Sequence, residues 1–154
     1  MRNSKYKHVL KWTMLTSLLL AFSGCFPQAK NPVLVSDVSS FYLDDTIAQA
    51  KAAGVDYRAV LNAAISKNRK ALQTLFGLTS SGVFKGQGAD SHASMLWTLL
   101  AQWGDRSYSE VLASEPPITR QSVITFLDFA AAFDYSKTYP LTHRLGKHTI
   151  PFGG

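Results

Sequence analysis

Only three residues, Gly54-Val55-Asp56, separate two stretches of helical character, and a link that short joins neighbouring helices as an αα-hairpin. Glycine tolerates the left-handed geometry beyond a helix end, so the first helix is expected from about Ser39 to Ala53, with Gly54 as its stop. Asp56 then caps the second helix. There Tyr57, Val60, Leu61, Ala64, Ile65, Leu72, Leu75 and Phe76 recur at three- and four-residue spacing, which makes one apolar face. Lys67, Asn68, Arg69 and Lys70 interrupt that stripe. They read as a solvated face in preference to a site for phosphates or lipid headgroups.

The stretch from Gly77 to Asp90 holds Gly82, Gly86 and Gly88 and is expected to be a flexible connection. It lacks the Gly-Lys-Ser/Thr ending of a P-loop, and no strand precedes it. A third helix is expected from Ser91 to Trp103, with His92, Met95, Leu96, Leu99, Leu100 and Trp103 on one side. Asp90 or Ser91 can cap it, and Gly104 can end it. A short helix follows around Tyr108 to Ser114 and is blocked by Pro116-Pro117. The last helix starts near Thr119, with Val123, Phe126, Leu127, Ala130 and Phe133 facing inward. Ile124 and Phe129 lie off its stripe, which makes this helix a candidate for the centre of the bundle. Beyond Asp134 the chain reads as a surface tail. With no strand-type alternation of useful length and no fixed-period repeat, the expected fold is all-α, a bundle of about four to five helices. The helical domain spans residues 37–135 and an irregular tail covers 136–154.

Ahead of this domain the chain has a different character. A basic stretch from Arg2 to Lys11 precedes the apolar run Trp12 to Phe22, which is shorter than the roughly 20 residues a permanent span prefers. This order reads as a helical export signal over residues 1–24, with the positive end held on the cytoplasmic side. The stretch from Phe26 to Ser36 has two prolines and no helical period, so residues 25–36 read as a tether. Cys25 is the one cysteine in the chain, and no disulfide within one chain is possible.

The end of the signal, Leu20-Ala21-Phe22-Ser23-Gly24-Cys25, resembles the lipobox of bacterial lipoproteins, in which small residues precede a cysteine that receives a diacylglyceryl group. Phe22 stands where that pattern usually has Leu. The resemblance covers the signal and Cys25 alone. It implies a processed Cys25 with three acyl chains, and at about 0.8 kcal/mol per buried methylene these anchor a protein without a spanning helix. It also implies the outer side of the cytoplasmic membrane or the outer membrane; Phe26, in place of the Asp that retains lipoproteins in the inner membrane of enteric-type bacteria, hints at the latter. A second reading takes Ala21-Phe22-Ser23 as an ordinary signal-peptidase site and leaves a secreted protein with a free thiol. A third leaves the apolar run uncleaved.

The overall charge of +6 suggests an acidic partner until it is divided along the chain. Arg2, Lys5, Lys7 and Lys11 carry +4 of it, and from residue 25 onward twelve basic residues face ten acidic ones. Nucleic-acid binding needs a clustered basic face, and this scatter gives no reason to expect it. For catalysis the candidates are His92 with Asp90, beside Ser91 and Ser94, although adjacent helical residues point to different sides and no oxyanion hole can be named. A partly buried histidine filling the end of the bundle is the plainer reading of His92. His143 and His148 lack the spacing of helical metal ligands, so no metal or other cofactor is expected. Glu110 and Glu115, on or beside a short helix, make a poor acid–base pair, and Asp128 lies opposite the inward stripe and is expected in solvent. Trp97, Tyr108 and Phe129 fall outside the main stripes as candidate interface aromatics. The sequence therefore points to a noncatalytic, membrane-tethered interaction module of the cell envelope with a protein partner there. An envelope hydrolase centred on His92, or a binder of an apolar ligand between helices, are the alternatives.

Overall fold

The computed structural model describes residues 43–131 and 134–146. The export signal, Cys25, the tether, the start of the first helix at Ser39, Phe133, and the last residues including His148 lie outside them. Among the described residues there are seven helices and no strand: α1 (Asp44–Ala52), α2 (Tyr57–Ile65), α3 (Arg69–Ser80), α4 (Gln87–Trp103), α5 (Asp105–Ala113), α6 (Pro117–Ala130) and α7 (Pro140–Arg144). The fold is all-α, as the patterning requires. None of these helices is long and apolar enough to cross a membrane.

The α1–α2 hairpin forms through a Schellman turn, in which the amides just past a helix reach back to its last free carbonyls. Gly54 N–H donates to Lys51 O and Val55 N–H to Ala50 O, with Gly54 in the left-handed region at φ 79°. Asp56 then caps α2 by accepting the amide of Ala59. The expected second helix is in fact two helices, and the same device divides them. Lys67 N–H donates to Ala64 O and Asn68 N–H to Ala63 O, while Lys67 takes the left-handed position at φ 64° that glycine usually fills. Asn68 opens α3 by accepting the amide of Ala71. Two contacts hold Lys67 in this uncommon geometry. Its ammonium donates to Gln102 O at the end of α4 and lies 5.2 Å from the centre of the Trp103 ring. Trp103 Nε1–H in turn donates to Ala64 O at 2.9 Å, so the ends of α2 and α4 satisfy one another.

The expected flexible connection shrinks to residues 81–86, because α3 runs on to Ser80 and α4 begins at Gln87. Neither Asp90 nor Ser91 caps α4; Gly86 stands at its cap position with no side-chain bond, and Asp90 falls inside the first turn. Side chains of α1 clamp the connection. Gln49 accepts the Lys85 amide at 2.9 Å and donates to Lys85 O at 3.2 Å, and Thr46 donates to Gly88 O at 2.9 Å. A Cβ on Gly88 would lie 2.7 Å from the Gln49 amide and would push that side chain off its bonds to Lys85.

The core lies between α3 and α4. Each of α2, α5 and α6 packs against both, with α1 added on α4 and α7 on α5. Leu72, Leu75 and Phe76 of α3 and Leu96, Leu99 and Leu100 of α4 are fully buried, each worth about 1.5–3 kcal/mol relative to exposure. The centre of the bundle is therefore α4, which touches four other helices, in place of the expected last helix α6. Of the two residues off the α6 stripe, Ile124 is buried along with Val123 and Leu127, whereas Phe129 is exposed, so α6 is covered on one side and open on the other. Tyr108, expected off the stripes, is wholly buried edge-on against Phe76 at 5.1 Å. Trp97 is half-buried and donates Nε1–H to Leu127 O on α6 at 2.9 Å.

Residues 134–146, assigned by their irregular composition mostly to a tail, fold onto the domain. Tyr135 and Thr142 are buried, and a Cβ on Gly146 would collide with Ile124 of α6. Helix α7 has no side-chain cap of its own. Asp105, at the start of α5, supplies one from a distance: its two carboxylate oxygens accept the amides of Leu141 and Thr142, each at 2.8 Å. Charge-assisted bonds to a helix amino end are among the stronger local contacts. Asp105→Ala is expected to free α7 while the rest of the bundle stays folded. Hydrogen–deuterium exchange should then rise by at least tenfold over residues 139–146 and remain unchanged in α3 and α4; unchanged exchange over 139–146 would show that Asp105 does not hold the segment.

Candidate functional site

The chemistry-bearing residue that the fold treats most distinctively is His92. It lies on the second turn of α4 and is fully buried. Four other segments surround its ring. Tyr57 opens α2, Thr79 sits near the end of α3, Phe84 comes from the α3–α4 connection, and Phe126 comes from α6. The Phe84 ring lies 4.2 Å away at a tilt of 33°, while Tyr57 and Phe126 present themselves edge-on at 5.7 and 5.9 Å.

Both ring nitrogens are engaged. Nδ1 lies 2.9 Å from Tyr57 Oη and Nε2 lies 2.9 Å from Thr79 Oγ1. The network fixes the tautomer. Thr79 has a single hydroxyl proton and donates it to Leu75 O at 2.9 Å, so its oxygen accepts from the ring, and Nε2 carries the imidazole proton. Nδ1 is then the acceptor, and Tyr57 O–H donates to it. The chain of donors runs Tyr57, His92, Thr79, Leu75 O, and it closes only with a neutral ring. Burial pushes the His92 pKa down to about 3 and holds the Tyr57 hydroxyl well above its ordinary range.

Asp90 does not join this arrangement. It is exposed on the first turn of α4, and the His92 nitrogens point to Tyr57 and Thr79. Glu110 is exposed, its backbone carbonyl accepting from Arg69, and the Glu115 carbonyl accepts from Arg120. Asp128 is exposed as expected and accepts the Tyr135 hydroxyl at 2.8 Å. His143 packs edge-on against Tyr135 at 5.2 Å. Among the described residues no three His, Cys, Asp or Glu side chains gather as metal ligands would. An imidazole with both nitrogens occupied and no open surface has nothing to offer a substrate proton.

Part of this cluster was legible in the sequence, His92 as a histidine on an apolar stripe. Phe84 was not singled out within the glycine-containing connection. Tyr57 and Thr79 carried no mark that set them apart as its partners. The chain matches no model of a known protein family, no curated protein and no solved structure.

The neutral ring makes stability depend on pH with a definite sign. The unfolded histidine takes up its proton near pH 6.5 and the folded one near pH 3, so acid favours the unfolded chain. Stability is thus lost as pH falls from about 6.5 towards 3, at up to about 1.4 kcal/mol per pH unit for this one proton. His92→Leu should flatten the denaturant-midpoint curve over that window relative to the parent. His92→Ala, which leaves a cavity and an orphaned Tyr57 hydroxyl, should cost about 3 kcal/mol or more. Parallel pH profiles for parent and His92→Leu would contradict a neutral buried ring.

Proposed function

We propose that this chain is a lipoprotein of the bacterial cell envelope, anchored through Cys25, and that its helical domain is a noncatalytic protein-interaction or structural module. The observation that carries the reading is the sequence Leu20-Ala21-Phe22-Ser23-Gly24-Cys25, which ends an apolar run on the one cysteine of the chain. Lipidation also disposes of a thiol that would be a liability in an oxidising compartment. The anchor places the domain at the outer side of the cytoplasmic membrane or at the outer membrane, facing the periplasm.

The described domain is consistent with such a role. The one histidine in its core is spent on the fold, so the hydrolase reading has lost the residue on which it was built. Three of the cationic side chains are taken up by backbone carbonyls, Lys67 by Gln102 O, Arg69 by Glu110 O and Arg120 by Glu115 O, and the charge from residue 25 onward is scattered where nucleic-acid binding needs a clustered basic face. The partner on this reading is an envelope protein.

Crosslinking in living cells, followed by mass spectrometry, tests both halves of the reading. The expected result is a processed amino terminus at Cys25 bearing three acyl chains, and one dominant envelope protein captured by the parent and lost in Cys25→Ala. An unmodified Cys25 would overturn the anchor. Acylated protein that captures nothing would overturn the interaction module.

A further inference from the structure

Three large apolar side chains stand exposed among the described residues, Ile118, Phe129 and Leu141, and two of them share one face of α6. At 100° per residue, Ile118, Ser122, Thr125 and Phe129 fall within a 60° arc. Ile118 is 70% exposed and Phe129 71% exposed. The stripe carries no charge. The two charged residues of α6 lie outside it and are engaged elsewhere, Arg120 on the carbonyl of Glu115 and Asp128 on the hydroxyl of Tyr135. Single exposed apolar residues need no explanation, but two placed about 16 Å apart along one uncharged helix face form a surface.

The size of that surface, together with the length of the tether ahead of the domain, selects its occupant. Two side chains of this kind offer on the order of 300 Å², well below the roughly 800 Å² per partner of a stable protein interface. A surface so small is useful where something else holds the two bodies together. On the lipid-anchor reading Cys25 does so, because seventeen residues, 26–42, connect it to Leu43 and span at most about 60 Å.

We infer that the Ile118–Phe129 face of α6 rests on the lipid surface to which Cys25 is anchored, with both side chains inserted at the level of the headgroups, as in interfacial helices. This inference rests on the lipid-anchor reading proposed above. Helix α6 then lies along the membrane, and the domain is held in one orientation by the lipid and this face together.

The test uses the processed, lipidated protein in phosphatidylethanolamine–phosphatidylglycerol vesicles, with a nitroxide on Thr125→Cys at the middle of the face or on Arg58→Cys, which is exposed on α2. Collision with lipid-soluble oxygen and with a water-soluble nickel chelate reports depth. The ratio of oxygen to nickel accessibility is expected to be at least threefold higher at position 125 than at 58, and to fall to the value at 58 when Ile118→Ser and Phe129→Ser are combined. Equal ratios at the two positions in protein whose amino-terminal mass shows an acylated Cys25 would overturn the inference and leave the anchor standing. A label at 125 shielded from both reagents would also overturn it, in favour of a protein cover. An amino terminus without acyl chains would overturn the anchor and the inference together.

Discussion

Burying an imidazole is costly unless both nitrogens are paired and the ring stays neutral, and the rest of this domain is arranged around meeting that condition at His92. Tyr57 fills one nitrogen and Thr79 the other, and Thr79 passes its own proton to Leu75 O. The chain of bonds ties α2, α3 and α4 at one point, and Phe84 and Phe126 close the ring off from the α3–α4 connection and from α6. A half-satisfied network in such a place would be worse than an apolar core, so the partners are set as a group. The α3–α4 connection, short and pinned by Gln49, is what delivers Phe84 to the ring.

The same economy governs the helix ends. Each helix leaves amides and carbonyls without intrahelical partners, and in a bundle of short helices these are numerous. Here the ends serve one another: Trp103 on the last turn of α4 donates to α2, Lys67 beyond α2 donates to α4, and Asp105 at the start of α5 caps α7. Lys67 occupies a backbone region that costs a non-glycine residue energy, and its two contacts at the end of α4 offset that cost. Side-chain capping across elements thus adds specificity that the leucine-rich core between the helices would not supply alone.

How much of this could be read in the sequence depended on whether the signal was local. The α1–α2 hairpin was legible because Gly54 marks the turn and Asp56 the next cap. The α2–α3 break was missed although it uses the same turn, because Lys67 holds the position of glycine and the apolar spacing from Ala64 to Ala71 continues in register across it. Helix α7 was missed because its cap comes from Asp105, 36 residues away, and a five-residue helix has too few positions for a period. The burial of His92 was legible from its stripe. Its pairing with Tyr57 and Thr79 was not, since a hydrogen bond between distant segments leaves no spacing to find. Asp90 looked significant only because it is near in sequence, and the helix turns it to solvent.

The core histidine of this domain is closed, and the uncharged face of α6 between Ile118 and Phe129 is open. Whether His92 is neutral and enclosed is the claim on which that account turns. Nitrogen-15 NMR of the imidazole at pH 5 tests it most directly. The account predicts a neutral ring with its proton on Nε2, an unprotonated Nδ1, and slow exchange of that proton with water. An imidazolium signal at pH 5 in folded protein, or rapid exchange of the Nε2 proton, would contradict it.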